Sequence, residues 1–386
     1  MLNYLIVFLA TAGAVMVVTP FVRRAAVRLK AIDQPSDRKV HPKPTPTLGG
    51  VGILMGTLVG LGVAYLIPDF RSVYRDSSEL QGTLLAALAI TAVGLVDDLR
   101  SLSAPAKIAG QVLAAGLLVL NGVELLFFWF PFGQGIISLG SDLAVPLTVL
   151  WVLVMVNAVN LIDGLDGLAA GIVVIAAGAF FIWVYASPPP LSGQFSAAAL
   201  LSAVAAGAAI GFLPYNFYPA RIFMGDSGAM LLGVLLAAAT ISGVGRTIQP
   251  SGGDIAAFAI PVLIPAIVMA VPLADVVLAI FRRVHRGRPV LAPDKDHLHH
   301  QLRSIGHTHR RAVLIMYYWS ILLAGSGLAV SFINGRAIVG SIVGAALVLI
   351  AATFLPRRVR EHRRSKRARR TEAKPLPQPS LHAKRS

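Results

Sequence analysis

Long apolar runs alternate with short polar segments along most of the chain. Eleven runs are long enough to cross a bilayer, which takes about 20 apolar residues in a helix. They cover 2–22, 49–68, 80–96, 105–121, 143–160, 167–187, 194–213, 224–242, 255–281, 312–332 and 336–355. A further apolar patch, from Leu125 to Phe132, is too short to span and predicts an interfacial re-entry. The pattern predicts an all-α, polytopic membrane protein with about 11 transmembrane helices.

The polar segments differ in charge, and this difference predicts the orientation of the chain. Of the 34 Lys and Arg residues, 30 fall in alternate segments, namely 23–48, 97–107, 161–166, 214–223, 282–311 and 356–386. The other four are Arg71, Arg75, Arg246 and Arg336. Because positively charged loops stay in the cytosol, the N-terminus is predicted outside the inner (plasma) membrane and the C-terminus in the cytosol.

Composition narrows the class of protein further. Hydrophobic residues make up 56% and charged residues 13% of the chain, and the mean hydropathy is +0.73, which excludes a water-soluble globule and a disordered chain. Zero cysteines exclude disulfides, thiolate metal sites and cysteine nucleophiles. We expect a multi-span domain at 1–355 and a basic, disordered cytosolic tail at 356–386. The tail supplies +10 of the net +16 and is interpreted as resting on anionic lipid, not on nucleic acid.

Five acids fall at the predicted cytosolic ends of the runs, namely Asp97, Asp98, Asp163, Asp166 and Asp226. One such Asp would be read as a solvated loop acid, but five in Gly-rich apolar context on one face predict a site. The adjacent carboxylates of Asp97 and Asp98 repel and need a cation or a shared proton, and Mg²⁺ or the counter-cation of a bound ligand would satisfy them. Lys107 follows ten residues after Asp97 and can approach the same region.

A second polar cluster joins two runs through a very short turn. It contains Asn157, Asn160, Asp163 and Asp166. The last three are spaced i, i+3, which would place them on one face of a helix. Helix capping would explain one of these Asp residues but not four polar side chains.

A third cluster ends one run and opens the next. Asp226 and Ser227 lie at the predicted N-terminus of a span, where free N–H groups suit a phosphate and Asp226 can hold Mg²⁺. Asn216 precedes them, and Phe223 would either stack on a base or act as an interfacial aromatic.

Two further segments carry candidate binding residues. The first contains Arg282, Arg288, His297, His299 and His300. Its His residues could indicate zinc, but the dense arginines favour a phosphorylated ligand. The second segment contains Lys39 and His41 and leads to Gly49 and Gly50, whose pairing predicts close backbone approach to a ligand.

Together the five segments resemble the polyprenyl-phosphate N-acetylhexosamine-1-phosphate transferase superfamily (glycosyltransferase family 4), most closely its WecA/TagO-like branch. The motifs are DQPSDRKVHPKPTPTLGG, GLVDDL, NAVNLIDGLDGLAAG, PYNFYPARIFMGDSG and DKDHLHHQL, in order over roughly residues 1–355. The resemblance implies Mg²⁺-dependent transfer of a sugar-1-phosphate from a UDP-N-acetylhexosamine to a polyprenyl phosphate, with release of UMP. Mn²⁺ is a second candidate metal.

The resemblance also implies roles for single residues. Asp97, Asp98 and Asp226 match the catalytic carboxylates, with Asp98 and Asp226 at the metal. The implied substrate-binding residues are Lys39, His41, Lys107, Asn157, Asn160, Asp163, Asp166, Asn216, Phe223, Arg282, Arg288, His297, His299 and His300.

The donor and two other functions stay open at this point. The muramoyl-pentapeptide branch has three consecutive His residues, whereas His297-Leu298-His299-His300 is interrupted, which favours a simple UDP-N-acetylhexosamine. A phospho-MurNAc-pentapeptide transferase remains the alternative. A secondary transporter would place its charges near the membrane midplane, often with inverted repeats, and neither feature is found in the sequence. The oligomeric state is left open.

Overall fold

The computed structural model describes residues 1–34, 44–130, 135–187, 196–244, 307–332 and 343–349. It contains the helices α1 (Leu2–Arg28), α2 (Gly49–Leu66), α3 (Arg71–Arg75), α4 (Glu79–Arg100), α5 (Ala104–Leu120), α6 (Ser141–Ile162), α7 (Leu168–Ala186), α8 (Ala197–Asn216), α9 (Gly225–Val244) and α10 (His309–Phe332). A 3₁₀ turn, Pro68–Phe70, precedes α3. The predicted span 255–281, most of 336–355 and the tail 356–386 lie outside these ranges.

The described helices confirm a polytopic membrane protein. Eight of them are long and apolar enough to cross a bilayer, namely α1, α2, α4, α6, α7, α8, α9 and α10. Each coincides with a predicted apolar run. The run predicted at 105–121 corresponds to α5, a shorter apolar helix of 17 residues, which at 1.5 Å per residue is about 25 Å long.

Two short antiparallel hairpins depart from the all-α prediction. Ile32–Asp33 (β1) pairs with Thr45–Pro46 (β2), and Phe127–Phe130 (β3) pairs with Gly135–Ser138 (β4). The second hairpin starts in the aromatic patch for which an interfacial re-entry was predicted. Consecutive aromatic residues favour an extended chain, and four residues are too few for a stable helix.

Helices α8 and α9 form the centre of the bundle. In each, 83% of the apolar window is buried, against 28% in α1. Helix α8 packs against α1 and α7, and α9 packs against α4 and α6. Both helices are rich in Ala and Gly, whose small side chains allow helix backbones to approach closely. Such close packing stabilises helix pairs in a membrane, because the hydrophobic effect does not drive helices together in lipid.

Alternate helix ends meet at one end of the bundle. The C-terminal ends of α1, α4, α6 and α8 lie there together with the N-terminal ends of α2, α5, α7 and α9. These are the ends that carry the conspicuous Asp residues of the sequence. The bundle therefore collects polar residues that are far apart in the chain into one region.

Candidate functional site

A cavity of about 680 Å³ opens where these helix ends meet. Six acids line it, namely Asp33, Asp97, Asp98, Asp163, Asp166 and Asp226. Among the described residues, only Lys30 and Lys107 contribute positive charge to the lining. Asn216 and Phe223 also line the cavity, as the sequence predicts for a common site.

Asp98 reaches from the end of α4 to the start of α9. Its Oδ1 accepts the N–H of Asp226 at 2.7 Å, and its Oδ2 accepts the hydroxyl of Ser227 at 2.6 Å and the N–H of Ser227 at 3.3 Å. Gly225 has a φ of 71°, and a Cβ there would lie 2.5 Å from Asp98 Oδ2. Asp98 thus caps α9 and fixes the backbone of Asp226.

The start of α9 is also held by the start of α2. The N–H groups of Gly49 and Gly50 donate to the carbonyls of Phe223 and Met224 at 3.0 and 2.9 Å. A Cβ on Gly50 would collide with Ser227 and Gly228. The Gly pair therefore closely approaches the residues just before α9 and the first turn of that helix, while its predicted approach to a ligand stays a prediction.

Lys107 lies between two carboxylates that come from different helices. Its Nζ is 2.5 Å from Asp97 Oδ2 on α4 and 2.5 Å from Asp226 Oδ2 on α9. Asn160 at the end of α6 donates its amide to Asp226 Oδ1 at 3.0 Å. Asp97 Oδ1 accepts the N–H of Leu102 at 2.6 Å. The structure brings Asp97, Lys107, Asn160 and Asp226 together as the sequence predicts.

The turn between α6 and α7 carries two acids in different environments. Asp166 Oδ2 accepts the N–H of Ala220 at 2.9 Å. No described residue donates a hydrogen bond to Asp163. Burial raises the pKa of Asp163 well above its usual range, and the negative charges of Asp226, Asp98 and Asp166 raise it further. Asp163 therefore strongly favours either a proton or a bound cation.

Asn216 links this turn to the segment before α9. Its Oδ1 accepts the N–H of Gly167 at 3.0 Å, and its Nδ2 donates to the carbonyl of Ile222 at 3.2 Å. The residue is 1% exposed. Asn216 reaches the cavity wall, but both of its polar atoms are engaged with the backbone.

Asn157 lies outside the cavity lining. Its Nδ2 donates to Gln111 Oε1 at 2.7 Å, which forms an amide pair between α5 and α6. Gln111 is 2% exposed and did not figure in the sequence interpretation. A glutamine inside an apolar span is costly, so its presence there was a usable signal.

Helix α10 supports the site from outside. The hydroxyl of Tyr317 donates to the carbonyl of Gly167, and Arg310 lies over the ring of Tyr218 with 5.7 Å between Cζ and the ring centroid. Sequence reasoning missed these contacts, because nothing in an apolar run distinguishes this tyrosine. Seven predicted site residues lie outside the described ranges, namely Lys39, His41, Arg282, Arg288, His297, His299 and His300.

The donor set fits a divalent cation. Six acids against two lysines leave a formal charge of −4 on the described lining of the cavity. Within the described ranges, no three His, Cys, Asp or Glu side chains form a metal-binding group. Mg²⁺ commonly uses only one or two carboxylates and completes its shell with water and substrate phosphates. Asp226 offers such a carboxylate and contacts the side chains of Asn160 and Lys107, whereas Asp98 accepts three hydrogen bonds from the start of α9.

Comparison with known proteins places these residues in a family. Residues 80–244 match the family model described as "Glycosyl transferase family 4". The decaprenyl-phosphate N-acetylglucosaminephosphotransferase of Mycobacterium leprae is 41% identical over 336 residues, which covers 86% of this chain and 84% of the relative.

Two other relatives extend the comparison. The probable undecaprenyl-phosphate N-acetylglucosaminyl 1-phosphate transferase of Bacillus subtilis is 36% identical and covers 82% of each chain. The phospho-N-acetylmuramoyl-pentapeptide-transferase of Desulforudis audaxviator is 32% identical, with coverage of 84% of this chain and 96% of the relative.

Proposed function

The chain belongs to glycosyl transferase family 4 and is a polyprenyl-phosphate N-acetylglucosamine-1-phosphate transferase, and we propose that its reaction takes place in the cavity around Asp97, Lys107 and Asp226. The proposed donor is UDP-GlcNAc, the acceptor is a polyprenyl phosphate, and the products are UMP and a lipid-linked sugar that starts cell-envelope polysaccharide synthesis. The observation that carries the proposal is the convergence of α4, α5 and α9 on one group of ionic side chains.

Phosphoryl transfer requires charge neutralisation and in-line positioning, and the cavity residues supply both. An oxygen of the lipid phosphate attacks the β-phosphorus of the donor, and the bond from that phosphorus to the bridging oxygen breaks as UMP leaves. Lys107 Nζ binds the phosphate oxygens, and Asp97 Oδ2 orients the acceptor or takes its remaining proton. A Mg²⁺ ion, or Mn²⁺ in its place, held by Asp226 would neutralise the pyrophosphate.

The remaining residues position this centre or bind the donor. Asn160 orients the Asp226 carboxylate, and Asp98 fixes the start of α9, whose first turn carries Asp226. We place the nucleotide beside Asp163, Asp166 and Phe223, which also line the cavity. The segment 282–300 is proposed to select the sugar through its Arg and His residues.

A donor panel tests the proposed activity. Purified protein is given a short polyprenyl phosphate and one UDP-sugar at a time, and UMP release is measured. We expect UDP-GlcNAc to be the best donor, followed by its epimer. Faster turnover with UDP-MurNAc-pentapeptide would establish the alternative activity, the one that the Desulforudis relative is named for.

The order of the chemical steps is tested by isotope exchange. We propose a single displacement, because a carboxylate that holds Mg²⁺ is a poor nucleophile and the lipid phosphate is already an anion at neutral pH. Labelled UMP should then fail to enter UDP-GlcNAc without lipid acceptor. Sustained exchange in lipid-free protein, abolished by Asp226→Asn, would establish a covalent intermediate instead.

We also propose eleven spans, an outside N-terminus and a cytosolic site. The distribution of Lys and Arg supports this orientation. Since the chain lacks cysteine, single Cys residues can replace Ser192, Ser304 and Ser365. An impermeant reagent added to intact cells should label only position 192. Labelling at position 304 would show that the orientation is the opposite of the one proposed.

A further inference from the structure

The ammonium of Lys107 occupies the point where two carboxylates of the cavity converge. It forms ion pairs with Asp97 and Asp226, each at 2.5 Å. The Lys107 side chain is 31% exposed and that of Asp226 is 28% exposed, so the pair faces the cavity. Two carboxylates brought this close to each other need a positive charge or a shared proton, and in the described part of the chain Lys107 provides the charge.

A divalent ion at Asp226 would need the same space. Mg²⁺ binds carboxylate oxygens at about 2.0–2.1 Å, so an ion on the side of Asp226 Oδ2 that faces Lys107 would overlap the ammonium, 2.5 Å from that oxygen, and repel it. The other oxygen of Asp226 accepts the Asn160 amide at 3.0 Å. Asp98 is already engaged by α9, which donates one hydrogen bond to its Oδ1 and two to its Oδ2.

We propose that Lys107 is an exchangeable counter-cation, which neutralises Asp97 and Asp226 without metal and turns to an incoming phosphate once a divalent ion replaces it. This inference rests on the metal site of the proposed function. The flexible lysine stem allows the ammonium to move without a change in the backbone. Metal binding thereby frees the Lys107 ammonium to bind a phosphate. A bound phosphate should in turn tighten metal binding.

Metal affinity measured without turnover tests the exchange. Mn²⁺ is titrated into the full chain in detergent, free of nucleotide and lipid phosphate, and free Mn²⁺ is followed by electron paramagnetic resonance. Lys107→Met should bind Mn²⁺ at least about tenfold more tightly than the wild type, because its competitor is gone. The control Lys30→Met removes the other positive charge of the described lining and should change the affinity by less than about threefold.

A second measurement uses thermal unfolding. In chelator, Lys107→Met should melt below the wild type, since Asp97 and Asp226 lose their counter-cation, and Mn²⁺ should raise its melting temperature by more than it raises that of the wild type. If Lys107→Met does not fold, Lys107→Gln keeps a hydrogen-bond donor without the charge and is used in both measurements.

The outcomes separate this inference from the function on which it rests. If the wild type binds Mn²⁺, Asp226→Asn does not, and neither Lys107 variant binds more tightly, the exchange is wrong and the metal site stands. If neither the wild type nor the Lys107 variants bind Mn²⁺, the metal site fails and the exchange fails with it.

Discussion

Asp97 and Asp98 are adjacent in the chain, but their carboxylates bind different kinds of partner. Asp98 accepts three hydrogen bonds from the first residues of α9, two of them from the backbone. Asp97 Oδ1 accepts the backbone N–H of Leu102, but Asp97 Oδ2 and Asp226 Oδ2 share the ammonium of Lys107, a side chain that can move. Groups bonded to backbone hold the shape of the cavity, whereas groups bonded to side chains can exchange those partners for a ligand. We therefore distinguish a fixed region around Asp98 from an exchangeable region around Lys107.

The largest effect is expected in the exchangeable region. Asp226→Asn should lower turnover by on the order of a thousandfold, as loss of a key charge-stabilising group commonly does. Its fold should persist, because the backbone N–H that Asp98 accepts is unchanged. UMP release and thermal unfolding measure the two properties. A full-length variant that is inactive only because it is unfolded would place Asp226 in the fixed region.

Asp98→Ala should damage the fixed region first. It leaves the N–H groups of Asp226 and Ser227 without their acceptor, at a cost of about 2 kcal/mol or more in unfolding free energy. Activity should fall as well, because Asp226 loses its position. Ser227→Ala removes one of the three donors and is the milder control. If Asp98→Asn folds normally but abolishes Mn²⁺ binding, Asp98 is a metal ligand, as its sequence motif predicts.

The sequence predicted which residues line the cavity better than it predicted which partners their side chains bind. Apolar runs and Asp residues at helix ends were sufficient to identify nine described helices and the cluster of Asp97, Asp163 and Asp226, because hydrophobic length and charge are local properties. Which of two adjacent carboxylates faces a backbone amide depends on the packing of α4 against α9. That contact joins residues 128 positions apart, and no local pattern encodes it.

A smaller effect is expected at the outer support of the fixed region. Tyr317→Phe removes the hydrogen bond to the Gly167 carbonyl and should cost about 1 kcal/mol, or a few degrees in melting temperature. The donor KM should rise more than kcat falls, since Gly167 ends the turn that carries Asp163 and Asp166. The neighbouring Tyr318 is 58% exposed, so Tyr318→Phe is the matched control. Equal effects of the two substitutions would show that α10 does not support the turn between α6 and α7 through Tyr317.

The smallest expected effect concerns Asp163, and its sign depends on pH. Burial and the nearby carboxylates raise the pKa of Asp163 in the folded protein, whereas the unfolded chain keeps a pKa of about 3.9. Below that value both states are protonated and Asp163 does not affect stability. As the pH rises, the unfolded state ionises first, so the folded state loses relative stability until its own, higher pKa is passed.

Asp163→Asn removes this loss of stability. In chelator the variant should therefore melt about 2 °C above the wild type at pH 7 and at the same temperature near pH 4. In the wild type the Asp166 carboxylate accepts the N–H of Ala220, so Asp166→Asn should show no such gain. A loss of stability in Asp163→Asn at pH 7 would mean that this carboxylate has a stabilising partner and belongs to the fixed region.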